Sequence, residues 1–167
     1  PTASFSGTAS IQVATNDGNG GTDSKSFDIT VKEAPDVSNL SIAVADICVA
    51  GDATVDITIS SLTDGDYTFK YTVEGGSEQT VSSVAMTSGS GSFAISGLSA
   101  ATATTIAITE VINSNSCSSS PSGVNDDLNV NADPSISTQP VSVTECVGTS
   151  TNLSVAATGG VGALTYQ

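Results

Sequence analysis

The sequence has no Arg, no His and no Trp, and three Lys stand against seventeen Asp plus Glu, for a net charge of −14. Each absence excludes something. With three cations in all, the chain has no means of neutralising a phosphate backbone, so nucleic acid is not an expected partner, and an anionic membrane surface would repel it. Without His it lacks the commonest general base and zinc ligand, and without Trp the best cation–π face. No run of eighteen apolar residues occurs, so no membrane insertion is expected. No basic stretch followed by an apolar one opens the chain, so no signal peptide is visible. The first residues, PTASFSGTASIQVATNDGNGG, start inside an alternating pattern, and the native start is expected further upstream.

What the chain does have is Ser and Thr, 50 of its 167 residues, alternating with Val and Ile. Strands with one wet and one dry face have this composition, so the expected fold class is all-β. No segment holds an apolar period of 3.6; LSAATATTIAI comes nearest, and its β-branched residues favour a loop followed by a strand.

Two linkers, VKEAPDV at 31–37 and VNADPSI at 130–136, divide the chain. Each carries a proline, which favours extended backbone and removes a donor, so both linkers should be short and stiff. Pro35 and Pro134 lie 99 residues apart, the size of one seven-stranded sandwich. Residues 1–34 read as the closing hairpin of a preceding β-sandwich repeat, with Ile11 and Val13, then Phe27, Ile29 and Val31, on one face around the turn NDGNGGTD. Two strands bury no core alone, so further strands are expected before Pro1. Residues 35–132 read as the one complete domain, with strands at Leu40–Val44, Ala53–Ser60, Tyr67–Glu74, Gln79–Met86, Ser92–Leu98, Thr104–Ile112 and Val124–Val130. Residues 133–167 read as the first strands of a following repeat. Cys48 precedes Val55, Ile57 and Ile59 by seven, nine and eleven residues, and Cys146 precedes Leu153, Val155 and Ala157 by the same intervals. Repetition at this period, 98 residues, is expected of a tandem array of Greek-key β-sandwiches.

The stretch PSISTQPVSVTECVGTSTNLSVAATGGVGALTYQ resembles the opening strands of bacterial immunoglobulin-like domains. GTASIQVATNDGNGGTDSKSFDITV resembles the closing hairpin of bacterial cadherin-like adhesin repeats, and DYTFKYTVEGG with TIAITEVINSNSCSS is similar to modules of SprB-type motility adhesins, giant surface proteins of gliding Bacteroidota. The middle segment departs from antibody-type domains, having no Trp on its third strand and no cysteine within its second or sixth. The resemblance implies tandem Ig-like repeats in an elongated filament, exported by the type IX pathway to the extracellular cell surface for attachment and gliding. The partners it implies are neighbouring repeats of the same polypeptide, with surface polysaccharide or the gliding and secretion machinery beyond them.

Cys48 lies before the second strand and Cys117 just after the sixth, places that can share one end of a Greek-key sandwich. A disulfide between them is expected, closing a loop for about 4 kcal/mol in the chain-entropy model, with two free thiols as the alternative. An oxidising compartment is implied. Cys146 is left unpaired within the chain.

Calcium is a secondary expectation at Asp17, Asn19 and Asp23, with Asp28, which fall at positions one, three, seven and twelve of a loop. Gly21 and Thr22 occupy the fifth and sixth positions, where an EF-hand needs Asp or Asn and then Gly, so a hairpin turn with solvated acids is the competing interpretation. Glu33, Asp36 and Asp133 add acids in the linkers without the clustered run of a cadherin site. No other cofactor is expected.

No catalytic residue is assigned. The hydroxyls have no histidine to activate them, and Asp64 and Asp66 sit in the turn TDGD, where nothing desolvates an acid. Strand parity sends Lys32 and Lys70 outward and puts Lys25 at a hairpin end, so lysine crosslinks are not expected. Tyr67, Phe69 and Tyr71 share parity with Val73 and are expected in the core instead of forming a sugar platform. The leading expectation is a non-enzymatic spacer in a surface adhesin. Its rivals are a carbohydrate- or surface-binding accessory module of a secreted multidomain enzyme and a fibre subunit that polymerises by strand exchange.

Overall fold

The computed structural model describes residues 5–48, 51–99, 101–160 and 163–166. The outer limits drawn at residues 1 and 167 lie outside the described residues. Every regular element described is a β-strand.

Strands β1 (Gly7–Asn16) and β2 (Thr22–Val31) form an antiparallel hairpin in unbroken register from Gly7↔Val31 to Asn16↔Thr22. Alternation puts Ile11 opposite Phe27 and Ala9 opposite Ile29 on one face. That face is apolar yet exposed, since a hairpin offers no second layer to cover it.

The middle of the chain builds two sheets from β3 (Ser41–Val44), β4 (Ile47–Cys48), β5 (Ala53–Thr58), β6 (Gly65–Val73), β7 (Gln79–Met86), β8 (Ser90–Ile95), β9 (Ala101–Ile112), β10 (Ser118–Ser119) and β11 (Asn125–Asn131). One sheet runs β3-β5-β8; the other runs β4-β11-β9-β6-β7, with β10 beside the end of β9. All seven expected strands are present; the two-residue strands β4 and β10 are additions. Inward residues of both sheets, among them Val55, Ile57, Phe69, Phe93, Ile106 and Leu128, join in one buried cluster. Phe93 packs between the sheets, its ring centre 6.5 Å from Phe69 and 5.1 Å from Tyr71.

The ladders of the larger sheet shift register at three places, between Tyr67 and Phe69, between Lys70 and Tyr71 and between Leu128 and Val130, and the second of these decides which way an acid points. Along β9, Ile106 and Ile108 are buried, and a two-residue step would bury Glu110 next. The register with β6 shifts between Lys70 and Tyr71, so Lys70 faces Glu110 while Tyr71 faces Ile108. The bulge inserts one residue and exchanges the faces: Val111 goes inward and Glu110 turns out.

The expected Cys48–Cys117 disulfide is not formed, and the described topology sets the two residues at opposite ends of one sheet. Cys48 lies opposite Asn131, and neighbouring Val130 pairs with Ala101, the first residue of β9. Cys117 follows the turn after Ile112, the last residue of β9. A strand of that length spans roughly 35 Å, against a Cα separation of about 7 Å at most for a disulfide. No two of the three cysteines are bonded to each other in this structure. The expectation failed on strand direction: four reversals separate β5 from β9, so they run the same way, and the start of one lies far from the end of the other.

Beyond the sandwich, β12 (Ser135–Thr138) and β13 (Ala156–Thr158) form a short irregular antiparallel pair. Leu153 and Val155, matched by repeat spacing to the buried Val55 and Ile57, precede β13 and are exposed.

Candidate functional site

The polar contacts that join one segment of the chain to another gather at the linker between β2 and β3, which the turn after β9 holds. That turn, Asn113 to Cys117, is shaped by one side chain. Asn113 Oδ1 accepts from the backbone N–H of Asn115 at 3.0 Å and of Cys117 at 3.1 Å. Asn side chains stabilise turns in this way by standing in for a backbone acceptor. Its amide nitrogen Nδ2 is left to donate to the carbonyl of Glu33 at 2.9 Å. Beside it Lys32 Nζ donates to Asn115 Oδ1 at 2.6 Å, and Cys117 Sγ lies 3.8 Å from the carbonyl of Lys32. From the turn after β5, Ser61 Oγ donates to the Asp36 carbonyl at 2.5 Å. Pro35, between these contacts, is buried. Asp36 Oδ1 accepts from Ser38 N at 3.0 Å, and bonds from Ser38 hold its carboxyl below the usual range.

The far end of the sandwich has a similar arrangement. Asp46 accepts from Asn129 N at 2.8 Å, which holds its carboxyl below the usual range, and Asn131 Nδ2 donates to the Ile47 carbonyl at 3.3 Å. Gly160 N donates to the Ala132 carbonyl at 2.7 Å, so the next linker is also held by a turn of the segment that follows it. A Cβ at Gly159 would run into the Asp133 carbonyl, a close approach that only glycine allows.

Among the calcium candidates, Asp17 Oδ1 accepts from Asn19 N at 2.8 Å and Gly21 N at 2.9 Å, closing its own turn. Those backbone donors lower its pKa, Asn19 first. Asp23 caps Ser24 N at 2.9 Å. Among the described residues no three acidic or thiol groups converge to hold a metal. Asp64 accepts from Ser88 N at 2.7 Å and so ties two turns together.

On the outer face of the larger sheet, Lys70 Nζ meets Glu110 at 2.6 Å and Glu78 at 3.4 Å. The hydrogen bond with Glu110 raises the lysine's pKa and lowers the glutamate's. Tyr67, Phe69 and Tyr71 are buried, Tyr71 with its hydroxyl pKa pushed up by desolvation. Lys25 is exposed on the hairpin.

Sequence reasoning missed the linker-holding residues, Asn113, Asn115 and Ser61. The only available signal was the run NSNSC, which reads as a turn without saying what the turn touches. No protein-family model, curated protein or solved structure matches the chain.

Proposed function

We propose that the chain is a stretch of a tandem array of Ig-like Greek-key β-sandwich repeats, with the outer two incomplete here. The array forms the shaft of a large secreted surface adhesin that spaces an adhesive tip from the cell for attachment and gliding. The observation that carries this proposal is the bonded linker. Lys32, Glu33 and Asp36 are tied to the body that follows them, which is what a shaft needs at each joint if it is to transmit force without folding back.

Two further observations support it. A three-stranded sheet faces a larger one whose edge strand β4 runs parallel to β11, an arrangement compatible with Ig-like sandwiches. Ile29 and Val31 of the exposed hairpin stand 99 residues before Leu128 and Val130, which β11 buries fully. The hairpin therefore has the pattern of a β9–β11 pair awaiting its opposite sheet.

The second reading, a carbohydrate-binding accessory module, would use exposed aromatic side chains. The large hydrophobic residues found exposed lie in residues 5–29 and 136–166, while the middle sandwich presents Lys70, Glu78, Glu110 and threonines on its outer face. Sequencing the whole reading frame separates the two: many further copies of the sandwich favour the shaft, and one or two copies beside a catalytic domain favour the accessory module.

A further inference from the structure

We propose that Cys48 and Cys117 form disulfides between successive repeats instead of within one, each pairing with the cysteine of the other type in the adjoining repeat. The proposal rests on the tandem-array reading above.

The two thiols lie at opposite ends of one sandwich, and each end is a joint. Cys48 stands opposite Asn131, where β11 leaves for the next linker. Cys117 Sγ lies 3.8 Å from the carbonyl of Lys32, where β2 leaves for the linker before. These places correspond. Val31-Lys32-Glu33-Ala34-Pro35 and Val130-Asn131-Ala132-Asp133-Pro134 align at a spacing of 99 residues, so Lys32 holds in the first segment the position Asn131 holds in the middle one.

The residue that Cys48 faces in one repeat is thus, one repeat earlier, the residue that Cys117 touches. In the preceding repeat the counterpart of Cys48 would lie one strand spacing, about 4.8 Å, from Lys32. Cys117 approaches Lys32 from the following body. Both thiols thus converge on one residue, Lys32, from the two sides of the joint, and the bridge requires their Cα atoms to come within about 7 Å of each other there. Cys146 shows that the Cys48 type recurs at repeat spacing, as a chain of such bridges demands.

Formation is by exchange with an oxidised thiol–disulfide oxidoreductase of the export compartment. One protein thiolate attacks the donor disulfide and releases one donor thiol. The thiolate across the joint then attacks the mixed disulfide and releases the second. The two protein thiols are oxidised by two electrons, the donor leaves as a dithiol, and the two thiol protons pass to it.

The test uses the full native polypeptide, alkylated before digestion and mapped without reduction. The expected result is a Cys117 peptide bonded to the Cys48 counterpart of the preceding repeat, and a Cys48 peptide bonded to the Cys117 counterpart of the following one. Recovery of both as alkylated thiols, or of Cys48 joined to Cys117, overturns the proposal. In a Cys117→Ser chain, the newly alkylated cysteine should lie in the preceding repeat; new labelling at Cys48 itself contradicts the proposal independently of folding. A reading frame without repeats would defeat the array, whereas repeats with free thiols would defeat only the bridge.

Discussion

Asp126 Oδ2 accepts a hydrogen bond from the backbone N–H of Val44 at 2.8 Å, joining the edge strand of the smaller sheet to β11 of the larger one. Val44 is buried and Asp126 half-buried, so the carboxylate closes a side of the sandwich that the sheets leave unpaired. Asp126→Ala orphans that donor and should cost about 1–3 kcal/mol in chemical denaturation. Asp126→Asn keeps an acceptor and should cost clearly less. Equal losses would show that this bond does not matter.

The core fills from both sheets, and Leu128 is fully buried opposite Thr104. Leu128→Ala should lower unfolding free energy by about 2–5 kcal/mol. Ile29→Ala, at the matching place on the exposed hairpin, should cost far less in this chain. Comparable effects would mean that the hairpin is already covered in solution.

Asn113 shapes its turn and also holds the Glu33 carbonyl. Asn113→Ala should therefore loosen the joint more than the sandwich. Hydrogen exchange should accelerate at Asn115 and Cys117, and proteolysis should quicken at residues 32–36, while the amides of β5 and β6 keep their protection. Uniform acceleration would instead indicate a general loss of stability.

Acid should destabilise the fold through exposed carboxyls that cap backbone donors. Asp17, Asp36 and Asp46 all have folded pKa values below the ordinary 3.8. Their contribution is present above the unfolded value and is lost as pH falls through the folded one. Asp46→Asn should flatten part of the acid limb of a stability–pH curve. Lys70 has the opposite sign: its pKa is raised above 10.5, so its contribution is full below that pH and disappears as pH rises through the folded value.

The strands were legible because Val55, Ile57 and Ile59, and then Tyr67, Phe69 and Tyr71, keep a strict two-residue period. Parity failed where the ladder itself shifts. Nothing local marks the bulge that turns Glu110 toward Lys70, since it arises from pairing across β6 and β9. Strand β4 was invisible because two residues carry no period, and its parallel partner lies 83 residues away. The joint was legible as a proline-containing linker but not as a bonded one. Asn113 and Lys32 meet it only after nearly the whole sandwich has folded between them.

Electron microscopy of the isolated full-length polypeptide tests the shaft most directly. The predicted result is a slender beaded thread whose length rises in equal steps with the number of sandwich repeats in the reading frame. A compact particle, or a native chain of only 16.4 kDa, would contradict it.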